Sequence, residues 1–332
     1  MSSGPEILPQ LRAAGLIASA APRLRSLAGG VSSDIFLVED DDRRFVVKRA
    51  LRKLRVKDDW FADVSRNRVE QAWFAYAARI VPEAVPRLLH TDPENAWFAM
   101  EYLEGDWLNW KSELLACRAD PAVASRAGHT LGRLHAASWG DPAATAEFAT
   151  LKNFTELRIA PYLLATADRV PAATAVLRAE AGRLAGTELA LVHGDYSPKN
   201  LLISPGRLIV LDAEVAWFGD PVFDVAFLIN HLFLKALCHV RTPEPFIGLA
   251  DEAWRAYGAA MGGRADAALE ARTVRLLLCL MLARVHGKSP VEYIAGPAQG
   301  RVTAFVLKHL PRPPATLAEV AQAWNLELEQ VP

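Results

Sequence analysis

The chain has 332 residues, a length that predicts about two domains, each large enough to bury a core. Hydrophobic residues make up 52% and charged residues 23%, which excludes wholesale disorder and a low-complexity polymer. The 37 Lys and Arg against 38 Asp and Glu leave a net charge of -1, so we expect no nucleic-acid partner and no anionic membrane surface as partner.

The cysteines and the apolar stretches indicate a cytoplasmic location. Cys117, Cys238 and Cys279 are far apart and belong to no Cys-x-x-Cys or Cys/His pattern, which favours reduced thiols. The apolar stretch 276–283 is shorter than the ~20 residues that cross a bilayer. The N-terminal residues 1–9 lack the features of a secretion signal. We therefore predict a cytoplasmic protein without a transmembrane helix.

The first hundred residues predict an α+β lobe, assigned to residues 1–103. Short apolar runs separated by turns predict an antiparallel sheet, and an apolar repeat of three and four residues predicts one amphipathic helix that ends before Pro82. The predicted strands are 24–27, 35–38, 45–48, 86–90 and 96–102, and the predicted helix lies within 60–80.

The remainder, residues 104–332, predicts a larger and mainly helical lobe. The predicted helices are 127–137, 154–167, 172–184, 222–237, 251–258 and 267–285. Short strands interrupt this pattern at 191–192, 201–203 and 208–211, and the last two are expected to form a hairpin around the turn 204–207.

Polar residues gather at the open end of that hairpin. The turn should place Asn200 and Asp212 opposite each other, at about 5 to 8 Å, and Asp195 lies just upstream. Oxygen ligands without Cys or paired His suit Mg²⁺, which usually takes one or two carboxylates and substrate phosphates. The alternatives are a turn-forming role for Asp195 and strand-end capping by the other two residues.

The motif around these residues resembles a known family. His-Gly-Asp-Tyr-Ser-Pro-Lys-Asn occupies 193–200, Leu-Asp-Ala-Glu follows at 211–214, and Gly-Asp-Pro at 219–221 precedes Asp224. This combination resembles the protein-kinase-like phosphotransferases that act on small molecules, the group of aminoglycoside phosphotransferases, choline kinases and methylthioribose kinase. The resemblance implies a bilobal protein-kinase-like fold, with a small antiparallel-sheet N-lobe and a larger helical C-lobe.

The same resemblance assigns roles at the hairpin mouth. It implies that Asp195 is the catalytic base for a substrate hydroxyl, and that Asn200 and Asp212 hold Mg²⁺ on the phosphates of ATP. Glu214 matches a second acid that supports metal or substrate in some small-molecule kinases.

Neighbouring residues of the motif receive supporting roles. His193 is expected to hydrogen-bond the loop backbone, and Asp224 to brace the loop from the following helix. Lys199 is left open between a phosphate contact and an exposed position. Four further residues are candidate anchors for a polar substrate: Arg158, Tyr162, Arg284 and Lys288.

In the first lobe, the resemblance calls for a strand lysine on the phosphates and a helix glutamate that holds it. Lys48 and Glu70 match these positions, and the alternatives are an edge-strand lysine and a solvated glutamate. The other expected nucleotide contacts are a phosphate-covering loop and a hinge segment that meets adenine. They are Gly29, Gly30, Ser32 and Ser33 in the loop, and Met100, Glu101 and Leu103 in the hinge.

The short spacing between Asp212 and Asp224 indicates a small acceptor molecule. Only eleven residues separate Asp212 from Asp224, which leaves no room for the long segment that supports a peptide substrate. We therefore predict an ATP- and Mg²⁺-dependent kinase acting on a hydroxyl of a sugar-like or amino-alcohol metabolite. The alternatives are an aminoglycoside-type antibiotic kinase and a catalytically silent nucleotide-binding scaffold.

Overall fold

The structure is a computed structural model that describes residues 5–27, 33–51 and 63–329. The chain divides into two compact units, Met1–Trp107 and Leu108–Pro332. The sequence analysis placed this boundary after residue 103.

The first unit contains a five-stranded antiparallel sheet in the order β1-β2-β3-β5-β4. Its strands are β1 (Arg23–Ser26), β2 (Ser33–Asp40), β3 (Arg43–Ala50), β4 (Leu88–Asp92) and β5 (Trp97–Glu101). All five strands were predicted. The strands β2 and β3 form a hairpin whose turn contains Asp41, with a positive φ of 51° that a short polar side chain tolerates.

Two helices accompany this sheet. The helix α2 (Arg66–Ala77) matches the predicted amphipathic helix, and the short α1 (Leu8–Ala13) was not predicted. Leu11 of α1 joins a buried cluster with Val47 and Trp97 from the sheet. The Asp40 carboxylate at the end of β2 accepts the backbone N–H groups of residues 18 and 19, at 2.8 and 3.1 Å, and so fixes the segment that follows α1.

The second unit is mainly helical, as predicted. The helices that precede residue 190 are α3 (Trp110–Leu115), α4 (Pro121–Ser138), α5 (Pro142–Glu147), α6 (Leu151–Phe154), a π-helical segment (Thr155–Leu164), α7 (Ala165–Arg169) and α8 (Thr174–Ala185). Those that follow are α9 (Val222–Ala236), α10 (Glu244–Met261), α11 (Ala267–His286), α12 (Pro297–His309) and α13 (Leu317–Glu329). The sequence analysis did not anticipate α3, α5, α12 or α13.

The helix α9 is the apolar centre of this unit. Together with the turn that follows it, Val222–His239 is long and apolar enough by composition to cross a membrane, and 89% of this stretch is buried inside the protein. It packs against α10 and α11. Among the described residues this is the helix that is long and apolar enough to span a membrane, and it is not the stretch 276–283 that the sequence analysis singled out. Its burial is that of a core helix.

Two small antiparallel sheets position the polar loops of the second unit. In one, β7 (Ala190–Val192) pairs with β10 (Trp217–Gly219). In the other, the order is β6-β8-β9, with β6 (Leu108–Asn109), β8 (Leu201–Ser204) and β9 (Arg207–Val210). The predicted hairpin is confirmed: Ser204 pairs with Arg207, and the Leu211 N–H donates to the Asn200 carbonyl at 2.9 Å. The residues before β8 and after β9 therefore lie together.

Candidate active site

A buried aspartate fixes the backbone of the loop between β7 and β8. The Asp224 carboxylate, in the first turn of α9, accepts the N–H of His193 at 2.6 Å and that of Gly194 at 2.9 Å. His193 Nδ1 accepts the Asp195 N–H at 3.1 Å, and its Nε2 lies 3.2 Å from the Leu211 carbonyl. Burial lowers the pKa of His193, which favours a neutral ring that donates from Nε2. The predicted bracing role of Asp224 and the structural role of His193 are confirmed by these bonds.

Gly194 occupies a position that only glycine can fill without rearrangement. Its φ is +77°, and a Cβ built on it would lie 2.5 Å from the Val215 carbonyl oxygen. Both the left-handed backbone and the close approach of that carbonyl require the absence of a side chain. The turn delivers Asp195 to the mouth of the hairpin.

The two oxygens of Asp195 have different surroundings. Its Oδ2 lies 2.8 Å from Lys199 Nζ, 2.9 Å from Asn200 Nδ2 and 3.2 Å from Arg158 Nη2. Its Oδ1 accepts no hydrogen bond from the residues that the structure describes. Burial by itself favours the neutral acid, but the charges of Lys199 and Arg158 hold the pKa of Asp195 below its ordinary value. The side chain is therefore an ionised carboxylate with one uncommitted oxygen.

Asn200 is oriented by the same carboxylate. Its amide nitrogen also donates to the backbone carbonyl of Asp195 at 3.0 Å, which assigns the amide and directs Oδ1 away from Asp195. Asn200 Oδ1 forms no hydrogen bond within the described parts of the chain. It is an oxygen acceptor available to a ligand.

Asp212 and Glu214 bring negative charge to this mouth. Asp212 has a φ of 68°, a left-handed conformation that costs a residue with a Cβ about 1 kcal/mol or more. Its charge opposes the ionisation of Asp195, as expected for a neighbour, and the charges of both Asp212 and Glu214 raise the pKa of Arg158. The Glu214 carbonyl accepts the Asn153 side-chain amide at 2.8 Å, which fixes its backbone.

This donor set matches a hard cation that is completed by other oxygen ligands. Among the described residues, no group of three or more His, Cys, Asp and Glu could hold a metal ion alone. Asn200, Asp212 and Glu214 offer one amide and two carboxylates. Mg²⁺ is typically bound by one or two carboxylates together with substrate phosphates and water, so the residues fit that ion.

The first unit contains the predicted lysine and glutamate as a buried ion pair. Lys48 Nζ lies 2.8 Å from each carboxylate oxygen of Glu70, and both side chains are buried. Lys48 lies on β3, which has β2 on one side and β5 on the other, so it is not an edge-strand lysine. Glu70 lies on α2 and is not a solvated residue.

The other residues predicted to bind nucleotide have the following positions. Ser33 is the first residue of β2 and pairs with Ala50, while Met100 and Glu101 end β5. Leu103 lies in the irregular segment after that strand. The predicted loop residues Gly29, Gly30 and Ser32 lie outside the described residues.

Two residues pair with Asp195 for which the sequence analysis named other roles, a substrate anchor for Arg158 and a phosphate contact or an exposed position for Lys199. Arg158 lies on the π-helical segment, far from the motif in sequence, and its Nε also donates to the Gly194 carbonyl. Lys199, which the sequence analysis left open, pairs with Asp195. No spacing rule links Arg158 to the motif, although π-helical turns occur often at functional sites.

Comparison with known proteins identifies the family of the chain. The family model described as the phosphotransferase enzyme family matches residues 23–269. The methylthioribose kinase of Pectobacterium carotovorum is 28% identical over 230 residues, which cover 60% of this chain and 57% of that kinase. The chain thus spans little more than half the length of the curated relatives it matches.

Solved structures show the same fold. A choline/ethanolamine kinase family protein from Mesorhizobium loti has a TM-score of 0.55 at 18% identity, over 97% of this chain and 99% of that one. An amicoumacin kinase in complex with AMP-PNP and Ca²⁺ has a TM-score of 0.56 at 14% identity, over 94% and 96%. These likenesses confirm the predicted α+β, protein-kinase-like fold class.

Proposed function

The chain belongs to the phosphotransferase enzyme family, and we propose that it transfers the γ-phosphoryl group of ATP to a hydroxyl of a small molecule, with Mg²⁺ as cofactor. The observation that carries this proposal is the asymmetry of Asp195, which has one hydrogen bond and two ion-pair contacts on Oδ2 and an uncommitted Oδ1. The related methylthioribose kinases support a sugar-like acceptor.

Asp195 is the proposed base. Its Oδ1 accepts a hydrogen bond from the acceptor hydroxyl, orients the oxygen toward the γ-phosphorus and takes the proton as the new P–O bond forms and the bond to the bridging oxygen of the departing ADP breaks. The ion pairs on Oδ2 keep the carboxylate ionised and fix its rotation. Because phosphoryl transfer leaves little covalent work to the protein, such positioning is most of what this residue supplies.

Asn200 Oδ1 and Asp212 are the proposed metal ligands, with Glu214 as supporting acid. A bound Mg²⁺ supplies neutralisation of phosphate charge. The bonds from Asn200 Nδ2 to Asp195 join the orientation of this ligand to that of the base.

Lys48 is the proposed phosphate-binding lysine, held by Glu70. A buried ammonium that already has a fixed carboxylate partner keeps one orientation, which is what recognition of a phosphate requires. Ser33 with Gly29, Gly30 and Ser32 would cover the phosphates, and Met100, Glu101 and Leu103 would meet adenine. These assignments follow the family resemblance.

We also infer a cytoplasmic location. The three cysteines are free thiols, which suits a reducing compartment, and ATP is the proposed donor.

The proposal is tested with Asp195→Asn, which keeps the size of the side chain and removes its basicity. The protein and this variant are incubated with ATP, Mg²⁺ and a panel of sugars, hydroxy acids, amino alcohols and aminoglycosides, and phosphorylated product is measured by ³¹P NMR. We expect kcat for the best acceptor to fall by about 10² to 10⁴.

Asp168→Asn is the matched control, because Asp168 is an exposed carboxylate that pairs with Arg178 at 2.7 Å. It should have full activity. Equal turnover by Asp195→Asn and the unaltered protein would overturn the assignment of the base. ATP binding without transfer to any acceptor would favour the silent scaffold, and a preference for aminoglycosides would favour the antibiotic kinase.

A further inference from the structure

A second group of polar side chains lies in the same unit as Asp195, on α9, on α11 and in the loop that follows α11. Its members are His231, Lys235, Arg284 and Tyr293. His231, Lys235 and Arg284 are nine-tenths or more buried. We call these four residues the basic cluster.

Hydrogen bonds assign the donors within the basic cluster. Lys235 Nζ lies 3.4 Å from Tyr293 Oη, and that hydroxyl lies 3.1 Å from His231 Nδ1. Because an ammonium can only donate, the hydroxyl accepts from Lys235 and donates to His231, whose proton is then on Nε2. His231 Nε2 is buried and has no hydrogen-bond partner among the described residues.

Arg284 also has unused donors. Its Nη1 donates to Tyr162 Oη at 3.2 Å and to Ser289 Oγ at 3.1 Å. Its Nε is buried and without a partner in the described ranges, and its Nη2 forms no hydrogen bond there. The adjacent N–H groups on Nε and Nη2 form the planar fork that matches the two oxygens of a carboxylate or phosphate.

The cations of the basic cluster form no ion pair with the described residues, and the Glu292 charge acts on Lys235 and Arg284 only from beyond ion-pair distance. Lys235 and Arg284 have no carboxylate within ion-pair distance among the described residues, whereas the nearby Lys111 pairs with Glu292. Burial and the charges of Lys235, Arg284, Lys199 and Lys111 all keep the His231 ring neutral by lowering its pKa. A buried cation without a counter-charge is costly, and a bound anion removes that cost.

Contacts connect the basic cluster to the proposed base. Arg158, which pairs with Asp195, also lies over the Tyr162 ring at 5.7 Å. The Arg284 guanidinium lies 5.4 Å from the centre of the same ring. Both the Asp195 carboxylate and the Arg284 guanidinium act on the pKa of Tyr162. A ligand that contacts both groups would therefore run alongside Tyr162.

We propose that the acceptor of the phosphoryl group carries an anionic oxygen group, a carboxylate or a phosphate, which binds to Arg284 Nε and Nη2, His231 Nε2 and Lys235 Nζ. The inference rests on the proposed function, because it supposes that the acceptor hydroxyl meets Asp195. The contacts from Asp195 to Arg158, from Arg158 to Tyr162 and from Tyr162 to Arg284 connect the position of that hydroxyl to the site of the anionic group. A polycationic acceptor is disfavoured, since the buried Arg284 guanidinium, and the Lys235 ammonium where it is protonated, would repel it.

The test compares acceptors that differ only in the anionic group. The pairs are D-gluconate with glucitol and D-glycerate with glycerol, and glycerol 3-phosphate, choline and kanamycin complete the panel. Transfer from ATP is followed for the unaltered protein, for Arg284→Met, Arg284→Lys and Lys235→Met, and for Arg275→Met. Arg275 is exposed on the same helix as Arg284 and serves as the control.

We expect kcat/KM to favour an anionic acceptor over its neutral partner. Arg284→Met should raise KM for that acceptor about 30-fold or more and raise KM for the neutral partner far less. Arg284→Lys should recover only part of the loss, because it keeps the charge without the fork. Arg275→Met should behave as the unaltered protein. A better rate with glycerate or with glycerol 3-phosphate identifies the group as a carboxylate or a phosphate.

Binding without ATP separates this inference from the proposed function. Anionic panel members should raise the unfolding temperature more than their neutral partners, and Lys235→Met should abolish this difference even where no acceptor is phosphorylated. Lys235→Met should also unfold at a higher temperature than the unaltered protein without ligand, because it removes a buried charge. Equal stabilisation by anionic and neutral compounds, a preference for choline or kanamycin, or equal KM changes for both members of a pair overturns the inference.

Discussion

Asn200 donates its amide to Asp195 Oδ2 at 2.9 Å, and this single bond directs one oxygen of each residue away from the other. Asp195 keeps Oδ1 and Asn200 keeps its amide oxygen, so the proposed proton acceptor and the proposed metal ligand stand next to each other. The proposed base and the proposed metal site are therefore one hydrogen-bonded unit, and a change in either is expected to affect the other.

The metal assignment predicts a shift in magnesium dependence. Asp212→Asn removes a charged ligand and should raise the Mg²⁺ concentration needed for half-maximal transfer by about tenfold or more. Activity is measured against Mg²⁺ concentration at saturating ATP. Asp168→Asn should leave the curve in place, and an unchanged curve for Asp212→Asn would remove this residue from the metal site.

The tight surroundings of Gly194 can be tested against Gly140, a second glycine that also has a positive φ. Gly140 has a φ of +66° and an open surrounding, whereas at Gly194 a Cβ meets the Val215 carbonyl. Gly140→Ala should cost about 1 kcal/mol of unfolding free energy, the price of the left-handed conformation alone. Gly194→Ala should cost clearly more and should lower kcat, because the loop that carries Asp195 must move.

These two variants are measured by urea unfolding and by transfer activity. Equal losses of unfolding free energy in both variants would show that the Val215 carbonyl moves aside at little energetic cost. The close approach would then have no part in positioning Asp195.

The buried ion pair of the first unit predicts a non-additive pair of substitutions. Glu70→Gln removes the carboxylate that faces Lys48 and should cost about 3 kcal/mol of unfolding free energy, because the lysine charge stays buried. Lys48→Met with Glu70→Leu should cost less than Glu70→Gln alone, since both charges are then absent. Chemical denaturation of the unaltered protein, Lys48→Met, Glu70→Leu and the double variant gives the coupling energy, and strictly additive losses would contradict this account.

Lys235 predicts a specific dependence of stability on pH. Burial is the largest cause that lowers its pKa from 10.5 to about 7. The charged groups that act on it are Lys111 and Arg284, which lower the pKa further, and Cys238 and Glu292, which raise it. Between pH 7 and 10.5 the unfolded chain holds a proton that the folded chain does not, so this residue makes stability rise with pH across that window.

Thermal unfolding from pH 6 to 10 checks the sign. Lys235→Met should be more stable than the unaltered protein near pH 6, with a difference that shrinks toward pH 10. Lys308→Met, which replaces an exposed lysine of α12, should show no such trend. A difference that is constant with pH would mean that Lys235 stays protonated throughout.

The sequence by itself determined the strands of the first unit, the main helices of the second and the residues of the motif. These features depend on local patterns: alternation in the strands, a repeat of three to four residues in the helices, and a hairpin turn that sets the distance between Asn200 and Asp212. The pairing of Lys48 with Glu70 was also predicted from the sequence, because the family resemblance places a lysine on a strand and its glutamate partner on a helix.

Only the tertiary structure brought Arg158 to Asp195, distinguished the two oxygens of that carboxylate and placed Lys235 beside Tyr293. These contacts join residues from different helices and loops, and no local period or turn constrains them. Their geometry depends on how α9, α11 and the π-helical segment pack, which is decided by burial of apolar side chains summed over the whole unit. The residues of the proposed chemistry are thus local in sequence, whereas the contacts of the proposed acceptor site depend on packing.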